Sequence, residues 1–542
     1  MMRRRRIPTI AVHNNLIIPQ IAPSRRAQSI VAIAIIPLGA AFLLLQFGDS
    51  MRWLSVAGLL VPLFISGIEG AIDLDWHPPD QTLINNITAV ISGPGVYGFI
   101  YNSSDSPRYG TYNWCNMPHV RRDEYVPAPS EYELVYVELI HRHHKRTPYA
   151  SNSFPVEPYR WDCDDEAVFS YASPLLQEEQ QQQQQRSAVP IYWNFQASSS
   201  QNPFSPGTGG WTGSCQFPQI TSGGLDDSFQ HGVDLYGVYH SLLGLLPSHS
   251  DPPESWRQKT SFRVTTNTIT SQVAGMLLGG LVGPAVPKIS VTVQPAAIDS
   301  LEPRYPCPRA AALMSIAKSS AAWKAHLRAA QPLFDTLDAI SGVNPSDVSF
   351  HESVDHYYDN LSARQCHAKP LPCHPNAVSE RGNCVNQDMA DAVYRLGHWE
   401  YSYMYRDAGP EALAAAVAGY GVWVAELASH LRDVVAHDTK PDTVWRHNIA
   451  HDGSLSRLLA VLQVDEMVWP GMGAEVVFEL FRKKEKGDGS GYFVRVLFGG
   501  RVLTSSSPAL GRMNLLLVET LLGYFDGLVG VDAGLVKGKC AS

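Results

Sequence analysis

Charge is sparse in this 542-residue chain: 17% of its residues are Asp, Glu, Lys or Arg, and the formal net charge is −9. With a sequence pI of about 6.1 there is no basic excess to neutralise a polyphosphate backbone, which excludes general nucleic-acid affinity. Cysteine is scarce as well. The eight are Cys115, Cys163, Cys215, Cys307, Cys366, Cys373, Cys384 and Cys540. None forms a CxxC pair, so zinc-ribbon chemistry lacks its signature, whereas an even, dispersed set suits disulfides of open pairing. No HExxH-like spacing links histidines such as His351, His356 and His398, and no metal or cofactor is expected. Against these absences stands a 45% apolar content, that of a globular protein with a substantial core. The length suits two or three domains, or one large enzyme with insertions.

Residues 1–71 read as a targeting region, a signal peptide or a signal anchor. Arg3 to Arg6 and Arg25-Arg26 precede an apolar run from Ile30 to Leu45, which is short for a membrane span and contains Pro37. A second start follows at Met51-Arg52-Trp53, with apolar Leu54 to Ile68 and small residues at Gly67, Gly70 and Ala71. That unit has the three parts of a secretory signal, so secretion with Met51 as the working start is expected. The alternative is a retained anchor with a lumenal catalytic domain, the upstream arginines placing the N-terminus on the cytoplasmic side. The sequons Asn86-Ile87-Thr88, Asn102-Ser103-Ser104 and Asn360-Leu361-Ser362 fit an exported, glycosylated chain. Gln180 to Gln185 is a low-complexity insertion.

One stretch organises the rest. Val135 to Ile140 is an apolar run that reads as a buried strand, and it ends in His141-Arg142-His143-His144-Lys145-Arg146-Thr147-Pro148. Open α/β sheets bind ligands beyond the carboxyl ends of their strands. Planar guanidinium forks on Arg142 and Arg146 suit phosphate oxygens, and an imidazole between them suits attack on phosphorus. By itself such a cationic cluster is more often a solvated face. Far downstream, Thr443 to Ala450 is a candidate strand broken by His451-Asp452-Gly453-Ser454, with Ser454 placed to cap a helix over Leu455 to Val464. Glu475 to Phe481 and Tyr492 to Phe498 read as a closing hairpin. Between these halves, Ala310 to Ala330, Asp388 to Tyr405 and Glu411 to Val435 read as helices.

Arg142-His143-x-x-Arg146-x-Pro148 resembles the Arg-His-Gly-x-Arg-x-Pro signature of the histidine acid phosphatases, the branch of the histidine phosphatase superfamily that includes phytases. His451-Asp452 resembles that family's second signature, in the family's order and at the same topological place. Gln219 to Leu235 resembles its Leu-Thr-x-x-Gly helix opening. Together the resemblance covers about Tyr101 to Cys540. It implies an α/β fold with a mostly parallel sheet and flanking helices, of the phosphoglycerate mutase-like type, plus an inserted α-helical domain. The expected division is 72–300 and 439–542 for the two parts of the α/β domain and 301–438 for the insert.

The same resemblance implies a metal-free phosphomonoesterase acting on a small-molecule ester. His143 is then the nucleophile and Asp452 the proton donor and acceptor, while Arg142, Arg146 and His451 hold the phosphate. Burial of Asp452 beside accumulating negative charge gives an expectation of an acidic optimum. Two positions depart from the pattern. His144 stands where the family has glycine, so the loop turns with a Cβ and a ring in place. Ile269 stands where counting from Arg263 places the family's third clamp arginine, with Lys145 as a replacement charge. These departures keep a second function class open: a phosphate-ester-binding or structural relative with weakened catalysis.

Overall fold

The computed structural model describes residues 72–96, 112–156, 160–163, 213–283, 288–374, 384–437, 441–484 and 491–541. It gives the backbone alone at 34–35, 42–47, 50–55, 195–196 and 212. Residues 1–71 form a unit of their own. In it, Phe42–Phe47 pairs antiparallel with both Ser50–Ser55 and Ala34–Ile35, strands that overlap the signal-like segments. The rest of the targeting region, the glutamine tract and the Asn102 sequon lie outside the described residues.

Residues 72–542 form one compact unit around an eight-stranded sheet. Its strands are β1 (Tyr132–Arg142), β2 (Thr260–Val264), β3 (Val291–Val293), β4 (Trp445–Ala450), β5 (Glu475–Lys483), β6 (Tyr492–Phe498), β7 (Arg501–Val502) and β8 (Leu516–Leu517). The spatial order is β7-β6-β5-β1-β4-β2-β3, with β8 also on β6. β1, β4, β2 and β3 run parallel. β5 runs against β1, and β6 against β5, so five of the eight strands point one way. β1 is central because its apolar residues alternate across both faces: from Val135 to Arg142 every side chain is buried. β5 and β6 form the anticipated closing hairpin.

The longer helices are α1 (Ser222–Tyr236), α2 (Thr268–Leu281), α3 (Pro308–Ser319), α4 (Ala321–Ser341), α5 (Asp355–Cys366), α6 (Gln387–Ser402), α7 (Pro410–His437), α8 (Asp452–Val461) and α9 (Val518–Val529). The single helix expected over Ala310 to Ala330 is two. Ser320 breaks it, its Oγ accepting from Trp323 N at 3.1 Å to cap α4. α8 begins at Asp452 with His451 at the N-cap, not at Ser454, which sits inside the helix and donates to Leu301 O at 2.7 Å. Between β3 and β4 the chain from 308 to 437 is mostly helical. Its Trp323, Phe334, Tyr357 and Trp423 share one continuous core with Tyr136, Ile140 and Val476 of the sheet. α7 is long and apolar enough to cross a membrane, yet its apolar residues, Val424 and Leu427 among them, are buried in that core.

All eight cysteines are paired: Cys115–Cys366, Cys163–Cys215, Cys307–Cys540 and Cys373–Cys384. One sequon is corrected by the fold. Asn360 is wholly buried, its Nδ2 donating to Asn152 O at 2.9 Å and its Oδ1 accepting from Arg364 Nε at 2.8 Å, so no glycan fits there in the folded protein. Asn86 is exposed and caps a short helix with its side-chain oxygen.

Candidate active site

β1 and β4 are adjacent and parallel, with Arg142 in register with Ala450. Both strands therefore end at one level, and the loops carrying the two motifs leave side by side. His143 N donates to Ala450 O at 3.1 Å, and the rings of His143 and His451 stand edge to face with centroids 5.4 Å apart. Arg142 Nη2 lies 3.3 Å from Asp452 Oδ2. Arg142, His143, Arg146, His451 and Asp452 are thus brought together, though Arg142 and Arg146 already have carboxylate partners.

His143 Nδ1 is 3.0 Å from His144 O. A carbonyl only accepts, so Nδ1 carries the hydrogen and the lone pair is on Nε2. The ring is neutral: burial first, then the charges of Arg142, Arg146 and His451, hold its pKa well below the usual histidine value. Arg142 donates to Pro470 O at 2.6 Å, and its guanidinium carbon lies 4.6 Å from the Trp114 ring centre. Arg146 Nη1 is bound by Asp359 Oδ1 at 2.9 Å, and its guanidinium stacks 4.2 Å from the Tyr149 ring centre. Each guanidinium retains a buried Nε–H with no acceptor among the described residues.

Asp452, in the first turn of α8, accepts from Trp469 Nε1 at 2.7 Å and Tyr401 OH at 3.4 Å. Burial pushes its pKa up, but Arg142, the Trp469 hydrogen bond, Arg146 and His451 together outweigh that and leave it below the ordinary carboxylate value. The anionic form is therefore the resting one, opposite to the direction expected from burial alone. His451 Nε2 is 3.1 Å from Thr265 Oγ1 and 3.4 Å from Glu302 Oε2. Burial raises the pKa of Glu302, but its hydrogen bond to His451 leads the contacts that bring it down to about 2.

The two departures have clear outcomes. The His144 ring is fully buried and turned into the interior, where Gly473, at φ +73°, leaves it room: a Cβ there would sit 2.5 Å from His144 Cε1. Ile269 is fully buried in an apolar cluster with Ile220, Val264, Val273, Ala274 and Ile449. Lys145 is paired with Asp227 of α1 at 3.0 Å. Arg263 is held by Asp299 and Glu426, a structural role. Thr221 caps α1, and Gly224 of α1 lies so close to the motif loop that a Cβ would fall 2.0 Å from Lys145 O.

Sequence reasoning missed Asp359, Trp469, Tyr401, Thr265 and Glu302. They sit on five further segments, and no spacing rule links any of them to the two motifs. It also missed Asp355, at the start of α5, whose pKa is pushed up to about 7 by burial and then by Asp359, Asp452 and Glu400, with Arg146 opposing.

Among known families, residues 133–499 match the "Histidine phosphatase superfamily (branch 2)". The chain belongs to this family. Proteins similar to it include "2-phosphoxylose phosphatase 1" of Danio rerio, 24% identical over 452 residues that cover 79% of this chain and 84% of that protein. "Counting factor 60" of Dictyostelium discoideum is 22% identical over 377 residues, 68% of this chain and 81% of that one. Among solved structures, the apo form of Hafnia alvei phytase aligns at a TM-score of 0.47 and 12% identity, over 76% of this chain and 99% of that one. The α/β architecture, a central sheet flanked by helices, is that of the histidine phosphatases.

Proposed function

We propose that this histidine phosphatase hydrolyses small-molecule phosphate monoesters through a phosphohistidine. The observation that carries the reading is the tautomer of His143: its Nδ1–H is given to His144 O, so the Nε2 lone pair is the free one, on a ring that feels the charges of Arg142, Arg146 and His451. Phosphoryl transfer has a loose transition state, so positioning and charge neutralisation supply most of the catalysis. In the first step His143 Nε2 forms a bond to phosphorus while the ester oxygen leaves and takes a proton from Asp452. In the second, water attacks the phosphohistidine and gives a proton to Asp452, and the N–P bond breaks to release phosphate and restore the imidazole. The Nε–H groups of Arg142 and Arg146 and the ring of His451 hold the non-bridging oxygens.

For Asp452 to donate, it must first be protonated. An arriving phosphate cancels the field of Arg142 and Arg146, leaving burial to dominate and raising the carboxyl pKa. The acid is thus armed by its substrate. Four disulfides suit an oxidising compartment, which supports a secreted or lumenal protein with an exposed Asn86 sequon. The name of the Danio rerio relative makes sugar phosphates the first substrates to try.

The second reading, a phosphate-ester-binding protein with weakened catalysis, is favoured by one observation. Ile269 fills an apolar wall, and the three nearby cations Arg142, Lys145 and Arg146 all have carboxylate partners. A hydrolysis assay on aryl and sugar phosphates from pH 3 to 8, beside His143→Ala, separates the two. Turnover that His143→Ala abolishes supports the enzyme; saturable phosphate binding with no turnover above that control supports the binder.

A further inference from the structure

Behind the catalytic loop, on the side of the sheet away from Asp452's helix, lies a group of imidazoles that the proposed reaction does not use. His141, His144 and His231 are each fully buried, and each offers a ring nitrogen such that the three lie within 4.8 Å of one another. They come from the end of β1, the motif loop and α1.

Their outer contacts fix what faces inward. His141 Nδ1 is 2.7 Å from Arg142 O, so that nitrogen donates and Nε2 carries the lone pair. His231 Nε2 is 3.0 Å from Glu475 Oε2, and the other oxygen of that carboxylate accepts from Val120 N at 2.6 Å. With the carboxylate accepting, His231 Nδ1 is also a lone pair, and it lies 3.1 Å from His144 Nε2. His141 Nε2 and His144 Nδ1 have no hydrogen-bond partner among the described residues. Neither ring nitrogen of His447 has one, and that ring stands edge-on to His141 with centroids 4.9 Å apart.

A core histidine normally has its polar atoms satisfied, because a bare buried nitrogen forfeits its hydration for nothing. Here His141 Nε2 and His144 Nδ1 lack partners on rings that cluster with His231, and the outer nitrogens of His141 and His231 are tied to a backbone carbonyl and a carboxylate. That is the arrangement by which outer hydrogen bonds orient metal-bound histidines. We propose that His141 Nε2, His231 Nδ1 and a ring nitrogen of His144 bind one divalent transition-metal ion of the zinc class. Imidazole donors without oxygen ligands disfavour magnesium and calcium. Two nitrogens on a tetrahedral zinc lie about 3.4 Å apart, so the 3.1 Å His144–His231 pair already fits and His141 closes in on binding.

The site is structural rather than catalytic: it is sealed from solvent and lies behind the loop. Its third ligand directly follows His143, so the ion fixes the backbone of the very turn that carries histidine in place of glycine.

The test uses untagged full-length protein produced in zinc- or cobalt-supplemented medium, with metal content by mass spectrometry, the visible spectrum of the cobalt form, and melting with and without chelator. These readouts do not involve phosphatase activity, so their failure is distinct from failure of the proposed reaction. The expected result is one ion per chain, ligand-field bands of nitrogen-bound cobalt, and a lower melting temperature after stripping. His231→Gln and His144→Gly should each lose the ion and the bands. Wild-type protein without stoichiometric metal and without cobalt bands would overturn the proposal and leave a hydrogen-bonded histidine core. So would variants that fold and bind as much metal as wild type. If neither variant folds, the wild-type cobalt spectrum decides: nitrogen-ligated bands support the site, and their absence overturns it.

Discussion

Arg142 Nη2 and Asp452 Oδ2 stand 3.3 Å apart, joining the end of β1 to the first turn of α8. The pair keeps the carboxyl anionic until phosphate competes for the guanidinium. The consequence is visible in pH profiles, since kcat/KM reports the free enzyme and kcat the substrate complex. The limb set by Asp452 should lie at higher pH in kcat than in kcat/KM. Asp452→Asn should lower kcat by about 100- to 10,000-fold, the usual range for a lost general acid. An ester with a good leaving group should suffer less than an alkyl phosphate. Equal losses on both would remove Asp452 from the proton-donor role.

Ile269 is buried among aliphatic side chains, which reverses the simplest rescue experiment. Ile269→Arg should not restore a clamp. It forces a guanidinium into an apolar wall without a partner, a burial that costs several kcal/mol. A lower melting temperature together with lower kcat/KM is expected, whereas Ile269→Val should cost only about 1 kcal/mol. A folded arginine variant with raised kcat would show that the position faces the phosphate after all.

Burial, then the charges of Asp359, Asp452 and Glu400, push the pKa of Asp355 up to about 7. Between about pH 4, where an unfolded aspartate ionises, and pH 7, the folded protein holds a proton the unfolded chain does not. Stability from this group therefore falls as pH rises through that window. Asp355→Asn removes the penalty, so its melting temperature relative to wild type should be more favourable at pH 7.5 than at pH 4.5. A difference that is flat or reversed in sign would rule the assignment out.

Asp359 positions Arg146 and satisfies Tyr149 N at 3.0 Å and Asn152 Nδ2 at 2.7 Å with its second oxygen. Asp359→Asn turns one of these acceptors into a donor and leaves Arg146 without its counter-ion. A loss of about 3 kcal/mol in urea unfolding is expected, as for other broken buried pairs. A rise in KM for phosphate esters should accompany it. Unchanged stability would mean that the pair is replaced by solvent.

Much of this protein was legible in the chain itself. A β-branched run ending in charged residues and closed by proline gave β1, because local preference and burial agree there. The hairpin of β5 and β6 and the helix α7 were read for the same reason. The His-Asp dipeptide gained meaning only from its order behind the Arg-His motif. The helix break at Ser320 and the start of α8 at Asp452 were missed: a single capping hydrogen bond decides the first, His451 begins the second without any side-chain cap, and spacing reveals neither.

The tertiary structure alone decided the rest. Asp359, Trp469 and Glu302 reach the site from segments that only packing of the helices against the sheet brings to the ends of β1 and β4. Asn360 lost its candidacy for a glycan because that packing buries it. The same holds for His141, His144 and His231. Two lie near each other in sequence and the third is on α1, and their nitrogens converge only because Gly224 lets α1 close on the loop. Sequence spacing encodes which residues share a strand or helix face; which faces meet is set by long-range contacts, and there the site was made.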